Sequence, residues 1–292
     1  MRSITIKLFL SFFFVCTSIV AQDFQGKAFY ETKTTLDLEN LGGRQMTEER
    51  KKMIAENMKS MLEKTYVLTF NRSESIYKEE ERLAAPGAGG GGFRGMMSSF
   101  TGGPQYKNVK ESQIMQEQEF FGKQFLVQDT LKSLDWKMGT ETKQIGKYTC
   151  FKATAVKAVD EMDFMSMRRR GGGNNEKKEG EEIKDSTKSD KLMDALEVPK
   201  EIIITAWYTP QIPVNQGPDV YWGLPGLILE INADRTTILC SKIVMNPDEK
   251  ETIEALSKGK VVTRMEYNDI MKQKIEEMRE MFQGRGGGHR RN

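Results

Sequence analysis

The chain has 292 residues, 38% hydrophobic and 29% charged, with a formal net charge of +2. That length supports one good-sized core or two small ones. The charge excludes a globally basic nucleic-acid binder. Its single histidine, His289, sits in a Gly/Arg-rich tail and excludes a histidine-based triad, zinc site or acid–base pair.

Residues 1–21 read as a secretory signal peptide. Arg2 and Lys7 form a basic head, an uncharged run follows from Leu8 to Val20, and Ala21 is a small residue at the expected cut. The run is too short for a spanning helix, which needs about 20 apolar residues. Phe14 and Val15 are too large for a lipid-anchoring site at Cys16. Removing this segment removes two bases and no acid, leaving a net charge near zero. No second long apolar stretch follows. The expected location is therefore outside the cytoplasm: periplasmic, outer-membrane-associated or extracellular.

The next segments read mainly as strands. Residues 24–35 are rich in Thr and aromatics, and Tyr66, Leu68 and Phe70 alternate with Val67, Thr69 and Asn71. Between them, residues 47–64 place Met53, Ile54, Met58, Met61 and Leu62 at helical spacing, with Thr47 as N-cap. A weaker strand is expected over 109–120, another opens at Phe125 and Val127, and Trp136 belongs to the next. Residues 148–157 alternate around Phe151, Ala153 and Ala155. Residues 202–208 are nearly continuous in apolar character, as for a central strand covered on both faces. Residues 227–231 and 238–245 complete the strands, and residues 267–282 form a second amphipathic helix through Ile270 and Met271.

Two stretches do not read as packed. Residues 84–104 are Gly-rich, and the segment at about 160–198 runs from three arginines through glycines into mixed charge. Both are expected to be long disordered insertions, and residues 283–292 a Gly/Arg-rich disordered tail. The fold class is mainly β: a curved antiparallel sheet, half-barrel or sandwich-like, with peripheral helices. Residues 22–282 form a single domain on this reading.

Chemistry is sparse. Cys150 and Cys240 are the two cysteines left after signal removal, and an even pair in an oxidising envelope is a disulfide candidate. The alternative is two small buried residues on neighbouring strands. The expectation adopted is the disulfide. Met162, Met165 and Met167 form a soft-ligand spacing suited to Cu(I), set against flexible apolar filler. Asp129, Asp135 and Glu141 lie among apolar residues and keep open a carboxylate-dependent hydrolase, although no partner motif accompanies them. Arginine beside glycine, as at Arg94-Gly95, can bind single-stranded nucleic acid. An exported chain makes that partner improbable, and solvated loop is the plainer reading. No phosphate-binding glycine motif is present, and no cofactor is implied.

The most distinctive stretch is Trp207-Tyr208-Thr209-Pro210, then Gly217-Pro218 and Tyr221-Trp222, ending in Gly223-Leu224-Pro225-Gly226-Leu227-Ile228. It resembles the GLPGLI family of exported proteins, mostly from Bacteroidota. Phe125-Leu126-Val127-Gln128-Asp129 and Ile145-Gly146-Lys147-Tyr148 also resemble that family's pattern. The resemblance implies export but no established activity. Gly223 and Gly226 suit positive φ or close backbone approach, with Pro225 fixing a turn between them. The functional alternative is a recognition surface formed by Trp207, Tyr208, Tyr221 and Trp222. The reading is a noncatalytic binding or accessory protein, its partner an outer-membrane protein or an apolar ligand held in the concave face.

Overall fold

The computed structural model describes residues 24–35, residues 47–80 with short gaps between 50 and 61, residues 102–158 and residues 201–285. The expected signal peptide at residues 1–21, most of the segment 84–104, all of the segment 160–198 and the last seven residues lie outside the described residues.

The protein is mainly β. Among the described residues, twelve strands form one sheet: β1 (Gly26–Thr34), β2 (Glu63–Phe70), β3 (Glu74–Glu79), β4 (Gln105–Asn108), β5 (Gln113–Phe120), β6 (Lys123–Thr130), β7 (Lys137–Ile145), β8 (Tyr148–Ala158), β9 (Glu201–Thr209), β10 (Leu227–Ala233), β11 (Thr236–Met245) and β12 (Lys260–Val262). The spatial order is β12-β6-β5-β4-β3-β2-β1-β11-β10-β9-β8-β7. Every described pairing is antiparallel except β12 with β6.

The period-two pattern explains which face is buried. Ala153, Ala206, Ile231 and Ile238 oppose one another across four strands, and each is at most 6% exposed. The adjacent row, Lys152, Trp207, Glu230 and Leu239, points to the opposite face and stays partly exposed. β9 is therefore not covered on both faces along its length: Ile203 is 71% exposed, opposite the exposed Val156 on β8. Double coverage belongs instead to the start of β10, where Leu227, Ile228 and Leu229 are consecutive and all buried.

Chain length forces the sheet to curl. β6 and β7 are ten strand positions apart, which would be about 48 Å in a flat sheet. Yet only residues 131–136 join them, and the seven Cα steps of that strap span at most about 25 Å. The two ends of the sheet must approach one another, and the strap ties them.

A helix, α1 (Arg264–Arg285), covers one end of the sheet. Thr263 and Glu266 close its start as a reciprocal capping box, with Thr263 N donating to Glu266 Oε2 at 2.7 Å and Glu266 N to Thr263 Oγ1 at 3.2 Å. Tyr267 and Met271 then pack against Phe120, Phe125, Val127 and Val262. Burying side chains of this size stabilises by about 1.5–3 kcal/mol each. The helix continues through residues 283–285, so the tail starts later than its glycine content suggests.

Other boundaries shift for identifiable reasons. Val109 lies in the turn between β4 and β5, where Ser112 adopts φ 52°. Gly103 donates to Glu117 O at 2.9 Å and Pro104 O accepts from Glu117 N at 3.0 Å, so residues 102–104 are docked rather than solvated. Trp136 precedes β7 instead of lying in it. The described residues between 48 and 62 are helical, but Glu63 and Lys64 already belong to β2.

Candidate functional site

The connection from β9 to β10, residues 210–226, returns across the sheet and plugs its core face. Proline at 210, 213, 218 and 225 removes backbone donors and bends this segment away from strand geometry. Its apolar side chains then do the filling: Ile212, Val214, Tyr221 and Leu224 are each at most 5% exposed and join the main core with Leu68, Phe70, Ile204 and Ile231.

Polar contacts pin this plug to strands far from its own. Ser75 on β3 donates to Gln216 Oε1 at 2.9 Å. Tyr30 on β1 donates to Ile228 O at 2.7 Å. Lys107 on β4 is fully buried and donates to three plug carbonyls: Gly217 O at 2.6 Å, Asp219 O at 2.5 Å and Tyr221 O at 3.4 Å. An ammonium carries three N–H donors and no acceptor, so its geometry matches three carbonyls. Burial pushes Lys107 down to about 7, with the Asp219 charge pulling in the opposite direction. This lysine is invisible to sequence reading, because a Lys in a short polar strand ordinarily marks a solvated surface.

The hexapeptide sits where plug meets strap. Trp136 Nε1 donates to Trp222 O at 2.8 Å, and Trp222 Nε1 donates to Lys132 O at 3.0 Å. The two indoles thus clasp the plug to the segment that ties the ends of the sheet. Gly223 adopts φ 92°, whereas Gly226 is needed for close approach: a Cβ there would lie 2.2 Å from Thr209 O. The two glycines answer to different constraints, positive φ at one and contact at the other.

The four aromatics expected to form a recognition patch do not share a surface. Tyr208 and Tyr221 are buried in the core. Trp207, adjacent to Tyr208 on a strand, faces the other side of the sheet. There it lies under Lys143, whose Nζ is 4.3 Å from the ring centroid and 2.6 Å from Glu230 Oε2. Asn232 and Thr237 extend that polar chain across β10 and β11. Trp222 is half-buried in its clasp.

The expected Cys150–Cys240 disulfide is not formed: both are free, buried thiols. They lie on β8 and β11 with β9 and β10 between them. Three strand spacings are about 14 Å, beyond the roughly 7 Å between Cα atoms that a disulfide tolerates. Burial pushes Cys150 up to about 11 and Cys240 up to about 12.

The carboxylates are not brought together. Asp129 Oδ2 accepts the Arg264 backbone N–H at 2.6 Å, at the start of α1. Glu141 is paired with Lys152 at 2.7 Å, and Asp135 is exposed on the strap. Among the described residues, no three His, Cys, Asp or Glu side chains are grouped as metal ligands. Met162, Met165 and Met167 lie outside the described residues. No helix among the described residues is long and apolar enough to cross a membrane, which says nothing about strands.

A second cluster lies on the core face, with a tyrosine at its rim. Tyr66 stacks on Tyr77 with centroids 4.7 Å apart and planes at 10°, and Tyr77 meets Tyr30 edge-on at 6.3 Å. Burial raises the hydroxyl pKa values of Tyr66 and Tyr77, helped by the Glu79 charge at Tyr66 and by the Asp219 charge at both. Lys157 Nζ lies 5.7 Å from the Tyr221 ring centroid.

Residues 136–230, which include the plug and the hexapeptide, match a family described as a protein of unknown function, Porph_ging. No curated protein matches the chain in sequence. Among solved structures, PNGF-II in its C2 and P21 crystal forms aligns at 13% identity, with TM-scores of 0.44 and 0.42. Each alignment covers 84% of this chain and 32% of PNGF-II, so the chain spans about a third of that protein's length. LprF from Mycobacterium bovis aligns at 8% identity and a TM-score of 0.25, over 78% of this chain and 90% of LprF.

Proposed function

We propose that this chain is an exported, noncatalytic binding or accessory protein of the cell envelope. The observation that carries the reading is the plug. Residues 210–226 fill the core face and are held there by buried contacts from Ser75 and Lys107. The most distinctive part of the sequence thus serves the scaffold, and the partly exposed faces remain for recognition. A filled interior favours a protein or polar partner over an apolar ligand held beneath the sheet. Residues 223–228, in their Trp/Tyr/Pro-rich setting, carry the assignment to the GLPGLI family within this proposal. Residues 1–21 carry the assignment to the envelope.

The experiment is cross-linked capture of the tagged chain from its native envelope, with mass spectrometry of proteins and small molecules. The expected result is an envelope-fraction protein, cleaved after Ala21, that repeatedly recovers one partner. Recovery from the cytoplasm with residues 1–21 intact would overturn the localisation. Capture no greater than an unrelated tagged control would overturn the accessory role.

A further inference from the structure

One long strand of the sheet has a single neighbour. β7 closes one end of the strand order and pairs only with β8 among the described residues. Alone among the twelve strands it contains no buried residue: Lys137 to Thr142 are all exposed, and so is Gln144. The outer edge of β7 is therefore open to solvent.

The register says which backbone groups face that edge. A two-residue turn, Gly146-Lys147, joins β7 to β8, with Gly146 at φ 57°. In such a hairpin the pair next to the turn, Ile145 and Tyr148, exchanges both backbone bonds, and bonded pairs then alternate with unbonded ones. Lys143 with Cys150 is the next bonded pair. Gln144 with Thr149 and Thr142 with Phe151 are unbonded, so their N–H and C=O groups point away from one another. Thr149 agrees, since its N–H donates to Gln211 Oε1 at 2.9 Å, beyond the end of β9. Thr142 and Gln144 thus present N–H donors and C=O acceptors along the open edge, on the two residues of this stretch that are exposed.

Toward the strap this ladder is interrupted. Gly139, Thr140 and Glu141 stand opposite Lys152 alone, between the Met138–Ala153 and Thr142–Phe151 pairs. A bulge bends its strand and ends regular pairing. Residues 142–145 remain, long enough for one short strand and too short for open-ended sheet growth. Charge is one-sided here. Residues 131–158 hold six lysines against Asp135 and Glu141, a net of +4 in a chain whose total is +2.

We propose that the edge of β7 at residues 142–145 is a docking site for an extended, acidic segment of a partner protein, which joins the sheet as a further strand. Backbone bonds to Thr142 and Gln144 hold the segment, and the lysines select its charge. A basic strand would meet Lys137, Lys143 and Lys147, and like charges on neighbouring strands repel. This names the kind of partner within the accessory-protein reading above, and rests on it.

The test is panning of displayed random peptides of about nine residues against the full chain, followed by synthesis of the winners and amide hydrogen exchange of the complex. Selected peptides should be acidic and free of proline. Binding should slow exchange at Thr142 and Gln144 and leave Lys143 and Ile145, already bonded to β8, unchanged. Gln144→Pro removes one outward N–H at an edge position, where proline is tolerated. It should weaken binding about tenfold with melting little changed. Gln144→Thr keeps that N–H and should bind as the native chain does. Methylating alternate peptide nitrogens, which leaves the protein untouched, should abolish binding in one register and not in the other. Lys137→Glu with Lys147→Glu should weaken acidic peptides about tenfold. The proposal is overturned by no enrichment, by winners without acidic excess, by protection elsewhere than β7, or by equal affinity of Gln144→Pro and Gln144→Thr. Dimerisation through this edge would assign it to a second copy and overturn it too. Envelope capture unaffected by Gln144→Pro would remove this site and leave the accessory role standing.

Discussion

An alanine at Gly226 would put its Cβ 2.2 Å from the Thr209 carbonyl oxygen, 2.5 Å from its carbon and 2.8 Å from Pro210 N. Carbon atoms in contact sit about 3.5–4.0 Å apart, so the backbones must separate by roughly 1 Å. Neither side yields easily. Leu227 is paired with Thr209 across β10 and β9, and Leu227 N donates to Ile212 O at 2.9 Å. The opposing atoms are all backbone, so no rotamer change relieves the clash. Overpacking of this kind costs about 1–3 kcal/mol, and the rigid surroundings put Gly226→Ala at the top of that range. At about 2–4 °C per kcal/mol for a chain of this size, melting should fall by roughly 6–12 °C. Gly223→Ala is the internal comparison. Its Cβ meets nothing closer than Ser133 Oγ at 3.5 Å, and only φ 92° opposes it. That conformational penalty is about 1–2 kcal/mol. Calorimetric melting and urea unfolding of both variants check the ordering. If Gly226→Ala loses less than Gly223→Ala, the close-approach argument is wrong.

Trp222→Ala should cost about 2–3 kcal/mol, less than a fully buried indole, and its effect should be non-additive with Trp136→Ala by about 1 kcal/mol; strict additivity would refute the clasp. Lys107 gives a pH signature. Its folded value of about 7 lies below the ordinary 10.5, so between those values the unfolded chain holds a proton that the folded chain has released. Stability should therefore rise with pH from about 7 to about 8.5, by at most about 1.4 kcal/mol per pH unit. The window closes as thiols and phenols, raised in the folded state, begin to titrate the other way. Lys107→Met should flatten this rise, measured by urea unfolding across the pH range; an unchanged slope assigns the effect elsewhere. Both buried thiols should resist an aromatic disulfide reagent at pH near 8 until the protein is unfolded, and peptide mapping that recovers them as a disulfide would contradict the strand order.

The strands that were legible from sequence are those with alternation on a half-buried surface. Tyr66, Leu68 and Phe70, or Ala153 and Ala155, announce their face because the other face carries Thr or Lys. The run at 202–208 misleads because apolar residues on both parities suggest burial on both faces, while Ile203 is exposed. The prolines of residues 210–226 argue against a strand but say nothing about burial. Nothing local says that Ile212, Val214 and Leu224 will lie across strands remote in sequence. Lys107 is hidden for the same reason, since its three acceptors come from carbonyls more than a hundred residues away. At the hexapeptide, the glycine and proline chemistry was readable as structural, but which constraint applied to which glycine needed the opposing backbone. The four aromatics do not form one patch because consecutive residues of a strand, Trp207 and Tyr208, cannot share a face, and because the plug buries Tyr221.

The strand order contains two simple meanders. β1 to β6 are sequential neighbours, as are β7 to β11, and the two series join only where the first strand of one meets the last of the other. That junction pairs nine residues of β1 with β11, more than two hundred positions away in sequence. Each meander pairs strands that are consecutive in the chain, whereas the joining seam carries the longest-range part of folding. The plug emerges from the second meander but fills the face of the first. A partly folded chain would therefore present two sheets with exposed apolar faces, each lacking the cover that the other supplies. Such an intermediate is prone to association with other copies, so the chain's greatest vulnerability lies after each meander has formed and before its first and last long strands have met.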